Sequence, residues 1–152
     1  MPTTFGSLEE ILDFAIARER QAQEMYAAYS RATERKSLRK LLLAMADMEK
    51  EHEQLLAGLK KQAGGAFGPA AVGEFTPEEP FKEISFSPDM EYGDFLVLVI
   101  QKESEAERLY QRLEELASSA EARKLFRRLA GEEQKHRDWA QERYDRDVRP
   151  DN

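Results

Sequence analysis

Glu49-Lys50-Glu51-His52 and Glu133-Gln134-Lys135-His136 decide how this chain is read. They hold its only two histidines, each with a glutamate three residues earlier, and position 52 recurs at 136, an offset of 84. The same offset carries Glu19 onto Glu103, Tyr26 onto Tyr110, Ala22 onto Ala106, Ile16 onto Ile100 and Ala46 onto Ala130. It also carries Arg39-Lys40-Leu41 onto Arg123-Lys124-Leu125 without a gap. A single Glu-x-x-His is more often an exposed helix face than a ligand pair. Two of them in register with two Glu/Tyr pairs point instead to one helical hairpin present twice.

Outward from these motifs, apolar residues recur in steps of four and three, the signature of a bundle seam. In the first hairpin the seams are Leu8, Leu12, Ala15, Glu19, Ala22, Tyr26, Tyr29 and Leu38, Leu42, Met45, Glu49, His52, Leu56, Leu59. In the second they are Leu96, Val99, Glu103, Ala106, Tyr110, Leu113, Ala117 and Ala122, Leu125 or Phe126, Leu129, Glu133, His136, Ala140. Ser7-Leu8-Glu9-Glu10 and Ser118-Ser119-Ala120-Glu121 read as capping boxes opening the first and fourth helices. A polar turn at Thr33-Glu34-Arg35 and Gly64-Gly65 bound the second helix, and the tail from about Arg146 is expected to fray. The expectation is one all-α domain over residues 1–152, a ferritin-like antiparallel four-helix bundle. Hairpin 1 covers about 8–63, a long crossover about 64–93 and hairpin 2 about 94–147.

Spacing brings the anomalous glutamates together. Glu19 and Glu49 each lie fifteen residues from position 34, and Glu103 and Glu133 fifteen from Ser118. A reversal at each turn therefore puts both members of a pair at one height, roughly 22 Å from the turn at 1.5 Å per residue. Glutamate is rarely buried unless paired, and four at one level repel. Arg18, Lys50, Lys102 and Arg137 all fall off the seam, so no cation of the stripe offsets them. Two divalent ions would balance the four carboxylates, with neutral His52 and His136 as further ligands. Oxygen and imidazole donors without thiolate suit iron or manganese better than a closed structural zinc site, although zinc too could enter.

Tyr26 and Tyr110, two turns beyond Glu19 and Glu103, are candidates for hydrogen bonds to a ligand carboxylate on the neighbouring helix, beside a packing role. Gln23 and Glu107 are weaker candidates for an outer layer. Glu24, Glu51, Glu105 and Glu132 read as solvated faces, and Met45 and Met48 as core.

Composition excludes several classes. Of 152 residues, 35% are charged and 41% hydrophobic, a balance that suits long amphipathic helices. A net charge of −7 gives no basic stripe for nucleic acid. With no cysteine there is neither disulfide nor thiolate-bound iron in this sequence. No signal-peptide pattern and no long apolar run are present, so the expectation is a cytoplasmic protein that does not cross a membrane.

On Glu19-Ala22-Tyr26, Glu103-Ala106-Tyr110 and both Glu-x-x-His motifs, the chain resembles the rubrerythrin family from about Leu8 to Arg146. The resemblance implies a di-iron centre on Glu19, Glu49, His52, Glu103, Glu133 and His136. It also implies oxidoreductase chemistry in oxidative stress, with peroxide or dioxygen as substrate and an external electron donor. Family members typically carry a further glutamate three residues after the third-helix ligand, where this chain has Ala106, and a cysteine-bearing rubredoxin domain. Peroxide reduction is the leading expectation. Ferroxidase or iron-sequestering activity, manganese catalase-like activity and a purely structural metal are the alternatives. A homodimer is expected from base rates, and the long crossover would permit exchange of hairpins.

Overall fold

A computed structural model of the protein describes residues 8–62 and 85–149. Four long helices form it: α1 (Leu8–Ala32), α2 (Lys36–Lys61), α3 (Tyr92–Leu116) and α4 (Ala120–Arg143). Among the described residues there is no strand. The expected ferritin-like four-helix bundle is the observed architecture, with α1 packed along α2, α3 along α4, and the hairpins meeting through α1–α3 and α2–α4.

The repeat builds the same turn twice. Arg39 donates through Nε to Ser30 O at 3.1 Å and through Nη2 to Thr33 O at 2.7 Å. Its repeat, Arg123, donates through Nη1 to Ala117 O at 3.1 Å and Ser118 O at 2.9 Å. In both turns a guanidinium takes up carbonyls that a helix C-terminus leaves without partners. The main chain repeats as well: Thr33 N bonds Tyr29 O at 3.0 Å and Ala117 N bonds Leu113 O at 2.9 Å. Turns of equal length at equivalent positions, between Ala32 and Lys36 and between Leu116 and Ala120, give both hairpins the same register, and register is what levels the glutamates.

The core has two apolar clusters with a polar layer between them. One gathers Ile11, Leu12 and Ala15 of α1, Leu56 of α2, Leu109, Tyr110 and Leu113 of α3, and Phe126 and Leu129 of α4. The other gathers Met25, Tyr26 and Tyr29, then Leu38, Leu42 and Met45, then Phe95, Leu96 and Val99, and finally Ala140. Tyr29 stacks on Phe95 with ring centres 3.9 Å apart and its hydroxyl donates to Met90 O at 3.0 Å. Thus α2 ends beside the first cluster and α3 begins beside the second.

Several boundaries differ from expectation. The cap of α4 is Ser119, whose Oγ accepts from Ala122 N at 3.0 Å, one residue later than the box opening on Ser118 expects. Of the two Ser residues, the later one has extended backbone immediately before the first helical turn. Ser7 and Gly64-Gly65 lie outside the described residues, and α2 ends at Lys61, where Gln62 N bonds Leu59 O. Phe126, not Leu125, occupies the α4 seam. The tail does not fray at Arg146: Tyr144–Val148 form a π-helical turn. There Tyr92 Oη donates to Asp147 Oδ2 at 3.3 Å, and Val148 packs against Gly93.

Candidate metal centre

Glu19, Glu49, His52, Glu103, Glu133 and His136, the six residues singled out by spacing, are 5% exposed or less. They meet in the layer between the apolar clusters. Their donor atoms form two overlapping groups: Glu19, Glu49, His52 and Glu133, and Glu49, Glu103, Glu133 and His136. Within each group one donor atom per residue lies within 4.8 Å of the others. Glu49 and Glu133 belong to both groups, which is the arrangement required of carboxylates that bridge two cations.

The halves are related by the repeat. His52 Nδ1 lies 3.0 Å from Glu133 Oε1, and His136 Nδ1 lies 2.9 Å from Glu49 Oε1. Tyr26 donates its hydroxyl to Glu103 Oε1 at 2.5 Å, and Tyr110 donates to Glu19 Oε1. As residue numbers rise in one partner helix they fall in the other, so α1 and α3 are antiparallel, as are α2 and α4. Their rings fill the apolar clusters while their hydroxyls bond Glu103 and Glu19 on the neighbouring helix.

Electrostatics make this layer costly without cations. Burial raises the Glu49 carboxyl well above its usual range, and the charges of Glu103 and Glu19 raise it further. Burial likewise raises Glu133, with Glu103, Glu49 and Glu19 adding to it. Burial opposes a charge on His52, but the adjoining Glu133 and Glu19 carboxylates overcome it and bring its pKa to about 11. Glu19 Oε2, both Glu49 oxygens, Glu103 Oε2, Glu133 Oε1 and both Nδ1 atoms are buried without a hydrogen-bond partner among the described residues. Such atoms are rare in folded proteins. Seven of them around one point fit a pair of divalent ions, and this donor set contains the oxygen and imidazole ligands such ions take.

Outside these six residues, two readings of the solvated faces are corrected. Glu132 is not a free surface group: its Oε2 lies 2.5 Å from His52 Nε2, the ring nitrogen pointing away from the centre. Glu105 is buried at 8% exposure and paired with Arg18. Glu24 and Glu51 are exposed as expected. Gln23 and Glu107 bond elsewhere: Gln23 donates to Glu53 Oε1 at 2.7 Å, and Glu107 accepts from Arg137. Glu132 sits one residue before Glu133 on the same helix. Only the nearness of α2 makes it a partner of His52, so no periodicity could have identified it.

A cavity of about 650 Å³ runs between α1 and α3 and reaches Glu19, Glu49, Glu103 and Glu133. Ala22 and Ala106, a repeated pair of small residues, line it, as do Tyr110 and Phe86. No helix among the described residues is long and apolar enough to cross a membrane.

Comparisons with known proteins agree with this geometry. The family model described as Rubrerythrin matches residues 10–92 and 94–150. Among solved structures, the chain is similar to a hypothetical protein of Pyrococcus furiosus at 28% identity and a TM-score of 0.72, covering 91% of this chain and 89% of that one. It shares the fold of a Thermotoga maritima protein whose assignment as a ferritin-like diiron-carboxylate protein is itself provisional. There the TM-score is 0.72 at 18% identity, over 94% of this chain and 97% of that one. A search of curated proteins returns no match. With a buried carboxylate and histidine layer built twice over, and the family model matched along nearly its whole length, this chain belongs to the rubrerythrin family.

Proposed function

We propose that this protein is a di-iron oxidoreductase that reduces hydrogen peroxide to water with electrons from an external donor. The observation that carries the reading is the pair of overlapping ligand groups sharing Glu49 and Glu133. Glu19 and His52 would complete one position, Glu103 and His136 the other. Two bound ferrous ions would supply the two electrons needed to split the O–O bond, and two protons complete the conversion of peroxide to two waters.

The chain's own part is to hold charge and admit substrate. Four carboxylates match two divalent ions, and carboxylates can change their mode of binding as the metal charge rises. Tyr26 and Tyr110 fix Glu103 and Glu19 through hydrogen bonds, limiting where those two groups move. The cavity beside Ala22 and Ala106 supports a route for a small molecule from the surface to the carboxylates. Reducing equivalents come from outside, because this sequence carries no thiolate-bound redox centre.

Stopped-flow mixing of anaerobic, ferrous-loaded protein with hydrogen peroxide tests the proposal. The expected result is oxidation of two irons per chain far faster than that of free ferrous ion, repeated on adding a reductant. Oxidation no faster than in free solution would end it. A faster reaction with dioxygen than with peroxide would transfer the assignment to ferroxidase, and isolation with bound manganese to disproportionation of peroxide.

A further inference from the structure

We propose that the two halves of the metal centre are unequal, the half built on Glu19 and His52 holding a divalent cation more tightly than the half built on Glu103 and His136. The inference rests on the metal-binding reading above and concerns what lies behind each histidine.

Behind His52 stands a chain of charged groups. Its Nε2 is 2.5 Å from Glu132 Oε2. The other oxygen of Glu132 receives Arg128 Nε at 3.4 Å, and Arg128 Nη2 reaches Glu51 Oε1 at 2.8 Å. Glu132 is therefore anchored from two sides, with its side chain 21% exposed. A carboxylate in that position accepts a hydrogen bond from Nε2–H of the neutral ring, the tautomer whose Nδ1 lone pair faces the centre. It also raises the basicity of the ring. Such partners typically change metal affinity by about 10–100-fold.

The repeat provides the comparison within one molecule. Moved back by the 84 positions that relate the two hairpins, Glu132 falls on Met48 and Arg128 on Ala44. Moved forward, Glu51 falls on Lys135. No member of the network has a counterpart. A thioether is a weak acceptor and carries no charge. His136 Nε2 accordingly is buried with no hydrogen-bond partner among the described residues. The nearest contacts at the centre are matched: Tyr26 on Glu103 mirrors Tyr110 on Glu19, and the closest Nδ1 contacts of the two histidines differ by only 0.1 Å, at 3.0 and 2.9 Å. Glu132 is thus a positioning residue for His52, and the symmetry is broken there.

Manganese(II) is a suitable probe because it is stable in air at neutral pH. Crystals of the full chain, freed of metal and given one equivalent of manganese, are measured for anomalous scattering at both positions. A several-fold excess at Glu19/His52 is expected; equal occupancy, or an excess at Glu103/His136, overturns the proposal. In solution, calorimetric titration of Glu132→Gln should weaken the tighter step by about 10–100-fold and leave the weaker step in place. A titration superimposable on the unaltered protein overturns it, as does equal weakening of both steps, which would mark a general structural effect. If the unaltered protein binds no manganese, iron or other divalent ion at all, the metal reading itself falls. Binding of two ions with equal affinity removes only the inequality.

Discussion

Glu49→Gln is the most informative substitution in this protein. Glu49 belongs to both groups, so a carboxamide there removes a shared charge that, among the described residues, only Glu133 also supplies to both positions. The magnitude follows from linkage. With free metal held 100-fold above its dissociation constant, each occupied position contributes about 2.7 kcal/mol to folding. For a chain of this size each kcal/mol moves the melting temperature by about 2–4 °C. Two positions together therefore raise it by roughly 11–22 °C over the chelated protein, and one by roughly 5–11 °C. Glu19→Gln, which serves only one position, should keep the share contributed by the other, roughly 5–11 °C, while Glu49→Gln should lose nearly all of the gain. The chelated forms should move the other way. Burial together with Glu103 and Glu19 raises the Glu49 carboxyl, so a neutral amide relieves repulsion and should melt no lower than the chelated unaltered protein. Calorimetry of all three proteins, with manganese and with chelator, measures both effects. If Glu49→Gln keeps the full metal-dependent gain, or the unaltered protein melts identically with and without metal, the shared-ligand argument is refuted.

Tyr110→Phe keeps the ring in the apolar cluster but withdraws the hydrogen bond to Glu19; a loss of about 1.5–3 kcal/mol is expected by denaturant unfolding of the metal-free protein, and an unchanged midpoint would deny the hydroxyl its role. The pH dependence has a definite sign: His52, raised to about 11, contributes stability that is complete below its unfolded value near 6.5 and is lost as pH climbs towards 11. Chelated protein should therefore lose up to about 1.4 kcal/mol per pH unit for each such proton between roughly pH 6.5 and 9. Metal-loaded protein should not, and melting curves that rise with pH in the chelated form would contradict this. Ala106→Leu should narrow the cavity between α1 and α3, slowing oxidation by peroxide while two metals still bind; undiminished rates would rule out that route. Gly58→Ala serves as a control remote from the centre: the space beside Gly58 is open, so a gain of about 0.8–1.0 kcal/mol with unaltered metal stoichiometry is expected, and a loss would mean the helix there is not free.

The bundle and its six central residues could be read from the chain because they depend on helix geometry alone. A seam of alternating steps needs only 3.6 residues per turn, and the levelling of Glu19 with Glu49 needs only equal distance from a turn. The repeat did the rest, since a shared offset joins Glu-x-x-His to Glu19 and Tyr26 without any knowledge of packing. Periodicity could not choose between Leu125 and Phe126, neighbours straddling the edge of one stripe, because the choice depends on how α4 is rotated against its neighbours. Ser118 and Ser119 posed the same difficulty at a helix start, where one residue's backbone angle decides which hydroxyl caps. Glu132 is the clearest case. Beside the seam a glutamate faces either water or the next helix, and only the approach of α2, bringing His52 Nε2 to 2.5 Å, made it part of the centre. The cavity beside Ala22 and Ala106 arises likewise between helices far apart in the chain. Spacing along a helix states which residues share a face; the rotation and separation of packed helices state what that face meets.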